Sequence, residues 1–214
     1  KTNIYCVGSL GCELINEINL KNKTQLEKSL NIKFLKKNIL VTIHPESNRS
    51  KTKLMVTNLF EVLKKLTKTG IFFTSTNSDL NEDIINIKIQ KFIKTNKNSL
   101  LIKSLGKTNY LSMMKSVDVI IGNSSSGFIE APMLKIPVIN IGDRQGGRPI
   151  DKNIIMTKIH QKDIKNSIKK IYTTNFKKKL KTLKKYYFKQ NTSNKIIKIL
   201  IEKNLKNLKI KKFN

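Results

Sequence analysis

Acid and arginine are what this sequence has little of. Asp and Glu together number 14 among 214 residues, against 43 Lys and Arg, for a formal net charge of +29. Arginine occurs only at Arg49, Arg144 and Arg148, so lysine carries nearly all of the positive charge. Tryptophan is absent, and the lysines are spread along the whole chain rather than gathered in a patch. Nucleic-acid sites draw on arginine for its bidentate fork and on aromatic rings for stacking. Scattered lysine without either reads as solvated surface, and no nucleic-acid partner is expected. Where lysine is the default cation, an arginine marks a place that needs a planar fork; Arg144 and Arg148 fall close together.

Cys6 and Cys12, the only cysteines, are too few and wrongly spaced for a zinc site or a disulfide framework. A reduced, cytoplasmic setting with no metal and no cofactor fits them. No apolar run approaches the length of a membrane span and there is no signal-peptide pattern, so no membrane partner is expected. The chain starts at Lys1 and enters an apolar run almost at once, which reads as a start inside a longer protein.

What is present is an alternation. Apolar runs at Ile4–Val7, Ile39–Ile43, Ile71–Ser75, Leu100–Ser104, Val117–Ile121, Pro137–Ile141 and Ile154–Met156 read as strands. Between them Thr52–Lys68, Asp83–Lys94 and Thr108–Ser116 carry apolar residues at helical spacing, the first closing at Gly70 and counting Leu54, Leu59, Leu63 and Leu66 as its inner stripe. Thr24 and Glu27 have the spacing of a capping box that opens a short helix to Leu30. Strands alternating with helices on short connections predict an α/β fold, a doubly wound parallel sheet of Rossmann-like type. The expected divisions are a hinge segment with a short helix over 1–36, a Rossmann-like domain over 37–172, and lysine-rich helices over 173–214. From Gln161 onward Ile164, Ile168 and Ile171, then Ile196, Ile197, Leu200 and Ile201, are expected to form a core-facing stripe under a lysine face.

Ligands of such sheets bind beyond the carboxyl ends of the strands. His44, Asn77, the loop Asn123–Gly127 and the loop Asp143–Arg148 each follow a strand, so four polar clusters converge on one rim. The richest stretch is Asp118-Val-Ile-Ile-Gly-Asn-Ser-Ser-Ser-Gly-Phe-Ile-Glu130, a strand, a tight turn and the start of a helix expected over Phe128–Lys135. Free backbone N–H groups at such a junction suit an anion, phosphate above all. The hydroxyls of Ser124, Ser125 and Ser126, between Asn123 and Gly127, add donors. The plainer alternative is a serine-rich turn with an N-cap. Glu130 projects from the first helical turn, where it can accept from ribose hydroxyls or complement the dipole. Arg144 and Arg148 suit a phosphate clamp, or else surface ion pairs. His44, just before Pro45, stands where it can donate to a phosphate oxygen or move a proton. His160 lies in a polar stretch and is given no role. Too few acidic residues remain to point a carboxylate pair at the rim, so the chain reads as a binding half without a full catalytic half.

These residues together resemble the hydrolysing UDP-N-acetylglucosamine 2-epimerases. The resemblance rests on Gly8-Ser-Leu-Gly11, Val41-Thr-Ile-His-Pro45, Phe73-Thr-Ser-Thr-Asn-Ser-Asp79, Ser104-Leu-Gly106, Gly122-Asn-Ser-Ser-Ser-Gly127 with Glu130-Ala-Pro132, and Gly142-Asp-Arg-Gln145 with Gly147-Arg148. Non-hydrolysing relatives tend to carry Asp-Ser-Gly-Gly and Thr-Glu-Arg-Pro at two of these places. The hinge departs from the family's Pro-Gly-Leu-Asp, being Leu10-Gly-Cys-Glu13 here. The resemblance implies the second domain of a glycosyltransferase-B-type two-domain fold, a missing N-terminal domain holding the catalytic carboxylates, and a homo-oligomer. It implies UDP-GlcNAc or a related UDP-sugar as ligand, converted with water to N-acetylmannosamine and UDP in sialic-acid-type sugar biosynthesis. It places the diphosphate on Ser124 and Ser125, the ribose on Glu130, the nucleotide on Arg144 and Asn77, and His44 at the phosphate–sugar junction.

Overall fold

A computed structural model describes residues 4–75, 82–103 and 105–203. Six strands form one parallel sheet: β1 (Lys37–Thr42), β2 (Thr69–Thr74), β3 (Ser99–Ile102), β4 (Val119–Gly122), β5 (Val138–Ile141) and β6 (Ile154–Thr157). Their order is β3-β2-β1-β4-β5-β6, so direction of travel across the sheet reverses between β1 and β4. Two helices precede the sheet, α1 (Leu10–Ile15) and α2 (Lys23–Leu30), and α3 (Arg49–Leu63), α4 (Glu82–Thr95) and α5 (Gly106–Ser116) cross between strands. Then come α6 (Ser126–Ile129), α7 (Ala131–Leu134), α8 (Gln161–Ile171), α9 (Thr174–Lys179) and α10 (Thr192–Glu202).

Parallel strands covered on both faces have to be apolar on both faces, and these are. Ile39, Val41, Ile71, Phe73, Val119, Ile121, Ile139 and Ile141 meet α3, α4 and α8 on one side. Leu40, Phe72, Ile120 and Val138 face the other side, against α2, α5 and α7. Ile15, Leu26 and Ile32 join this second core, so the segment before β1 packs onto the sheet. Phe60, Phe73 and Phe92 form a ring cluster with centroids 5.2–5.6 Å apart, fixing α3 and α4 over β2.

Several expectations shift. Ile4–Val7 is not a strand: it has no sheet partner, and Ile4 is 73% exposed. The capping box is real but belongs to Asn22 and Gln25, each side chain accepting from the other's backbone N–H at 2.9 Å. Asn at the cap satisfies the orphan donors as well as Thr does, and the helix starts earlier for it. Gly70 lies inside β2, not at the end of α3, because the chain turns back through Lys64–Lys68. Leu54 faces solvent; the inner stripe of α3 is Met55, Val56, Leu59, Phe60 and Leu63. The expected helix over Phe128–Lys135 is two short turns, with Pro132 starting the second and Lys135 left-handed at its end. In the tail Ile164, Ile168 and Ile171 are buried as expected, but Ile197, Leu200 and Ile201 are exposed. Nothing among the described residues lies over that side of α10.

One contact makes the junction of β1 and β4 possible. Thr42 pairs with Gly122, and a Cβ built on Gly122 would lie 1.8 Å from the Thr42 carbonyl oxygen. That oxygen also accepts the Asn123 N–H at 3.2 Å, so it cannot move aside. Gly122→Ala is expected to destabilise the chain by at least about 3 kcal/mol, the range of steric faults in a core. Urea unfolding of the variant beside the parent measures this, and a loss under about 1 kcal/mol would contradict the close approach.

Candidate functional site

The carboxyl ends of β1 and β4 diverge at the reversal point, and a cleft of about 390 Å³ opens there. Thr42 and His44 line it from β1, Thr74 and Ser75 from β2, Ile102 and Lys103 from β3, and Ser124 and Ser126 from the loop after β4. Leu105, Gly106, Lys107 and Tyr110, at the start of α5, close the far side. No Asp or Glu lines it among the described residues; its two full charges are Lys103 and Lys107. Such a cleft is built for a ligand that is anionic and rich in acceptors.

Asn123 holds the rim together. It is completely buried. Its Oδ1 accepts from the His44 N–H at 2.8 Å, and its Nδ2 donates to the His44 carbonyl at 3.0 Å and to Glu46 Oε1 at 3.1 Å. Its own carbonyl accepts from Gln145 Nε2 at 2.8 Å and from Arg144 Nη1 at 3.2 Å. One residue thus joins the loops after β1, β4 and β5. Glu46 and Gln145, which sequence reasoning missed, are buried partners in this clamp. Glu46 adds the link to α3, its N–H bonding Thr52 Oγ1 at 2.9 Å.

The serine loop faces the cleft in part. Ser124 Oγ accepts from Ser126 Oγ at 3.0 Å, and Tyr110 OH lies 2.6 Å from Ser126 Oγ. The N–H groups of Ser124 and Ser125 have no acceptor among the described residues. Ser125 turns its carbonyl to the Phe128 N–H at 2.9 Å. Gly127 serves packing: a Cβ there would meet Val138 Cγ1 at 2.8 Å, so only glycine lets the loop sit on β5. The four-residue α6 offers little helix dipole, and the donors for an anion are therefore hydroxyls, two amides and lysine.

Other expected residues are placed apart. His44 is buried at the cleft wall. Glu130 points toward Gly11 and Cys12 instead, and its Oε2 is buried with no partner. Burial pushes its carboxyl pKa above the ordinary 4.5, more than the nearby Lys107 and Arg148 charges pull it down. Arg144 is exposed and reaches the site only through the Asn123 carbonyl. Arg148 donates to the Tyr187 hydroxyl at 3.3 Å, tying its loop to the segment before α10. Asn77 lies outside the described residues. Tyr110, Thr42, Lys103 and Lys107 were not named as site residues by sequence, although Thr42 lies within the Val41-Thr-Ile-His-Pro45 motif, Tyr110 is on the inner face of its helix, and Lys107 directly follows the Ser104-Leu-Gly106 motif. Among the described residues no group of His, Cys, Asp or Glu could hold a metal, and no helix is long and apolar enough to cross a membrane.

Sheet order, double helix layers and a cleft at the reversal point define a doubly wound α/β domain of the glycosyltransferase-B type. The family model for UDP-N-acetylglucosamine 2-epimerase matches residues 1–201, and the chain belongs to that family. It is 38% identical over 201 residues to the GDP/UDP-N,N'-diacetylbacillosamine 2-epimerase (hydrolyzing) of Campylobacter jejuni, covering 93% of this chain and 52% of that protein. It is 34% identical to the polysialic acid biosynthesis protein P7 of Escherichia coli, covering 92% of this chain and 51% of that protein. Among solved structures, the UDP-GlcNAc 2-epimerase of Neisseria meningitidis bound to UDP-GlcNAc superposes with a TM-score of 0.70 at 20% identity, over 85% of this chain and 49% of that one. A sucrose-phosphate synthase of Thermosynechococcus elongatus shares the fold at a TM-score of 0.54 and 13% identity, over 86% of this chain and 49% of that one. The chain spans about half the length of the curated relatives it matches.

Two outcomes test the clamp and the buried acid. Asn123→Ala removes both reciprocal bonds to His44 and strands Glu46, and is expected to cost about 2–4 kcal/mol in denaturant unfolding. A cost near zero would mean that the loops hold their places without it. Glu130 has a folded-state pKa raised above its unfolded value, so its contribution is full below about 4.5 and is lost as pH rises through the folded pKa. Glu130→Gln should therefore match the parent near pH 4 and become the more stable of the two as pH rises toward 7. The difference between their unfolding free energies across that range is the measurement, and a flat difference would contradict the burial.

Proposed function

We propose that this chain is the UDP-binding half of a hydrolysing UDP-N-acetylglucosamine 2-epimerase. The observation that carries this reading is the cleft at the β1–β4 reversal, lined among the described residues by hydroxyls, two lysines and no carboxylate. In it the diphosphate takes hydrogen bonds from Ser124 and from the unpaired N–H groups of Ser124 and Ser125, with Ser126 and Gly127 shaping the loop. Lys103 and Lys107 balance its charge. His44 faces the bond between phosphate and sugar, where it can donate to the departing oxygen. Glu130 accepts from the ribose hydroxyls once its carboxyl turns from Gly11 toward the ligand. Arg144 and Arg148 rim the nucleotide, and Asn77 completes the pocket.

The overall chemistry is a proton leaving C2 of the sugar while the C1–O bond breaks and UDP departs with the electron pair, followed by addition of water across the resulting double bond. This cleft stabilises the leaving group. Among the described residues it offers no carboxylate to take the C2 proton, and the proposed catalyst therefore includes a first domain outside these 214 residues. That domain and a second copy of the protein are the proposed partners. N-acetylglucosamine is the proposed sugar. A diacetamido sugar is the second reading, favoured by the name of the Campylobacter jejuni relative, a diacetylbacillosamine 2-epimerase, and the sugar end would lie toward the proposed first domain.

Isothermal titration of this chain with UDP is expected to show binding, and with UDP-GlcNAc to show binding without release of UDP at an enzymatic rate. Turnover by the chain alone would overturn the division of labour, and no affinity for UDP would overturn the assignment. Arg144→Lys, which cannot keep the Asn123 carbonyl and also reach a phosphate as a fork, should weaken UDP by about 1–3 kcal/mol. Unchanged affinity would remove Arg144 from the site.

A further inference from the structure

Six hydroxyl-bearing residues line the cleft among the described residues, and three of them form a continuous line. Tyr110 OH lies 2.6 Å from Ser126 Oγ, and Ser126 Oγ lies 3.0 Å from Ser124 Oγ. Thr42 and Thr74, whose hydroxyls are 3.4 Å apart, stand beside the line. Each hydroxyl has one proton to give. Ser126 can therefore donate to Tyr110 or to Ser124, not to both. If it donates to Tyr110, the Ser124 proton is free to turn inward and the cleft meets a lone pair. If Tyr110 donates to Ser126, Ser126 donates to Ser124, and the last proton points into the cleft. The Ser126 N–H also approaches Ser124 Oγ, at 3.4 Å, and favours the arrangement in which that oxygen accepts. A negative oxygen placed against Ser124 selects the outward order, and each bond in it polarises the next.

We infer that Tyr110 is a positioning residue for phosphate recognition: its phenol starts a hydroxyl line, Tyr110 to Ser126 to Ser124, that presents a proton to an anionic oxygen of the ligand. The inference rests on the proposed binding of a nucleoside diphosphate in this cleft and deepens it. Tyr110 itself does not touch the phosphate. Burial raises its pKa above the ordinary 10, so the phenol keeps its proton throughout the neutral range. Its ring belongs to α5, beside the buried Leu111 and Met114, so the oxygen is held by packing rather than by the ligand.

The test compares UDP with uridine, which lacks the phosphates. Binding of both to the chain is followed by ligand-observed NMR, with calorimetry for UDP. Tyr110→Phe keeps the ring and removes the first donor, and should weaken UDP about 3- to 10-fold, the loss of one hydroxyl hydrogen bond. Uridine binding should not change, because the effect passes only through the phosphate. Ser126→Ala should do the same, and the double variant should be no weaker than the poorer single one, since both cut the same line. The Ser126 variant carries the test by itself if the Tyr110 variant does not fold. An unchanged UDP affinity in either variant, equal losses for UDP and uridine, or additive losses in the double variant would each overturn the inference while UDP binding by the parent stands. A parent that binds no UDP would overturn both this inference and the function on which it rests.

Discussion

The geometry of this domain's rim depends on one buried amide. Asn123, in the loop after β4, has no exposure, and its side chain spends its acceptor and both donors on the loop after β1. Its main-chain carbonyl then takes Gln145 and Arg144 from the loop after β5. A buried polar group in this position must be satisfied or it costs free energy, so the three loops cannot drift independently. Gly122 sets the condition for it. Only a residue without a Cβ lets β4 end against the Thr42 carbonyl, which brings the Asn123 side chain down between the strands.

What the clamp holds open is a cleft whose chemistry follows from the composition of the chain. Acid is scarce throughout, and none of it lines this cleft among the described residues. Hydroxyl groups, two amides without an acceptor among the described residues and two lysines form a field that suits an anion without needing arginine. Arginine, the rarest cation here, is used for its reach and planarity around the cleft. Arg144 pins the Asn123 carbonyl and Arg148 pins Tyr187, so both stiffen the loop after β5. The chain belongs to the 2-epimerase family and spans about half the length of the curated relatives it matches.

Much of the fold was legible in the sequence because parallel strands buried on both faces cannot be anything but continuous apolar runs. Each of the runs from Ile39 onward became a strand at or within two residues of its expected bounds. Ile4–Val7 had the same local appearance and failed, since nothing in its residues told of a missing sheet neighbour. The same holds for α10: Ile197, Leu200 and Ile201 have helical spacing, but which surface they meet is not a local property. At the site, His44 and the serine loop were found through their place after strands. Glu46 and Tyr110 were not, because each is distant in sequence from the loop after β4 and lies outside the motifs; Gln145 was read only as part of the Gly142-Asp-Arg-Gln145 motif, since nothing local shows that its amide bonds the Asn123 carbonyl.

By itself, then, the sequence determined that strands and helices alternate, that the sheet is parallel, and that polar loops gather at one edge. These follow from periodicity and from chain connectivity, which are written residue by residue. Only the tertiary structure decided which of those polar groups face the cleft. Asn123 turns inward to bond main chain while Ser124, one residue on, turns outward, and Tyr110 arrives from another helix to meet Ser126 at 2.6 Å. Side-chain direction in a tight loop depends on which buried donors and acceptors must be satisfied, and those partners are brought together only when the strands have packed.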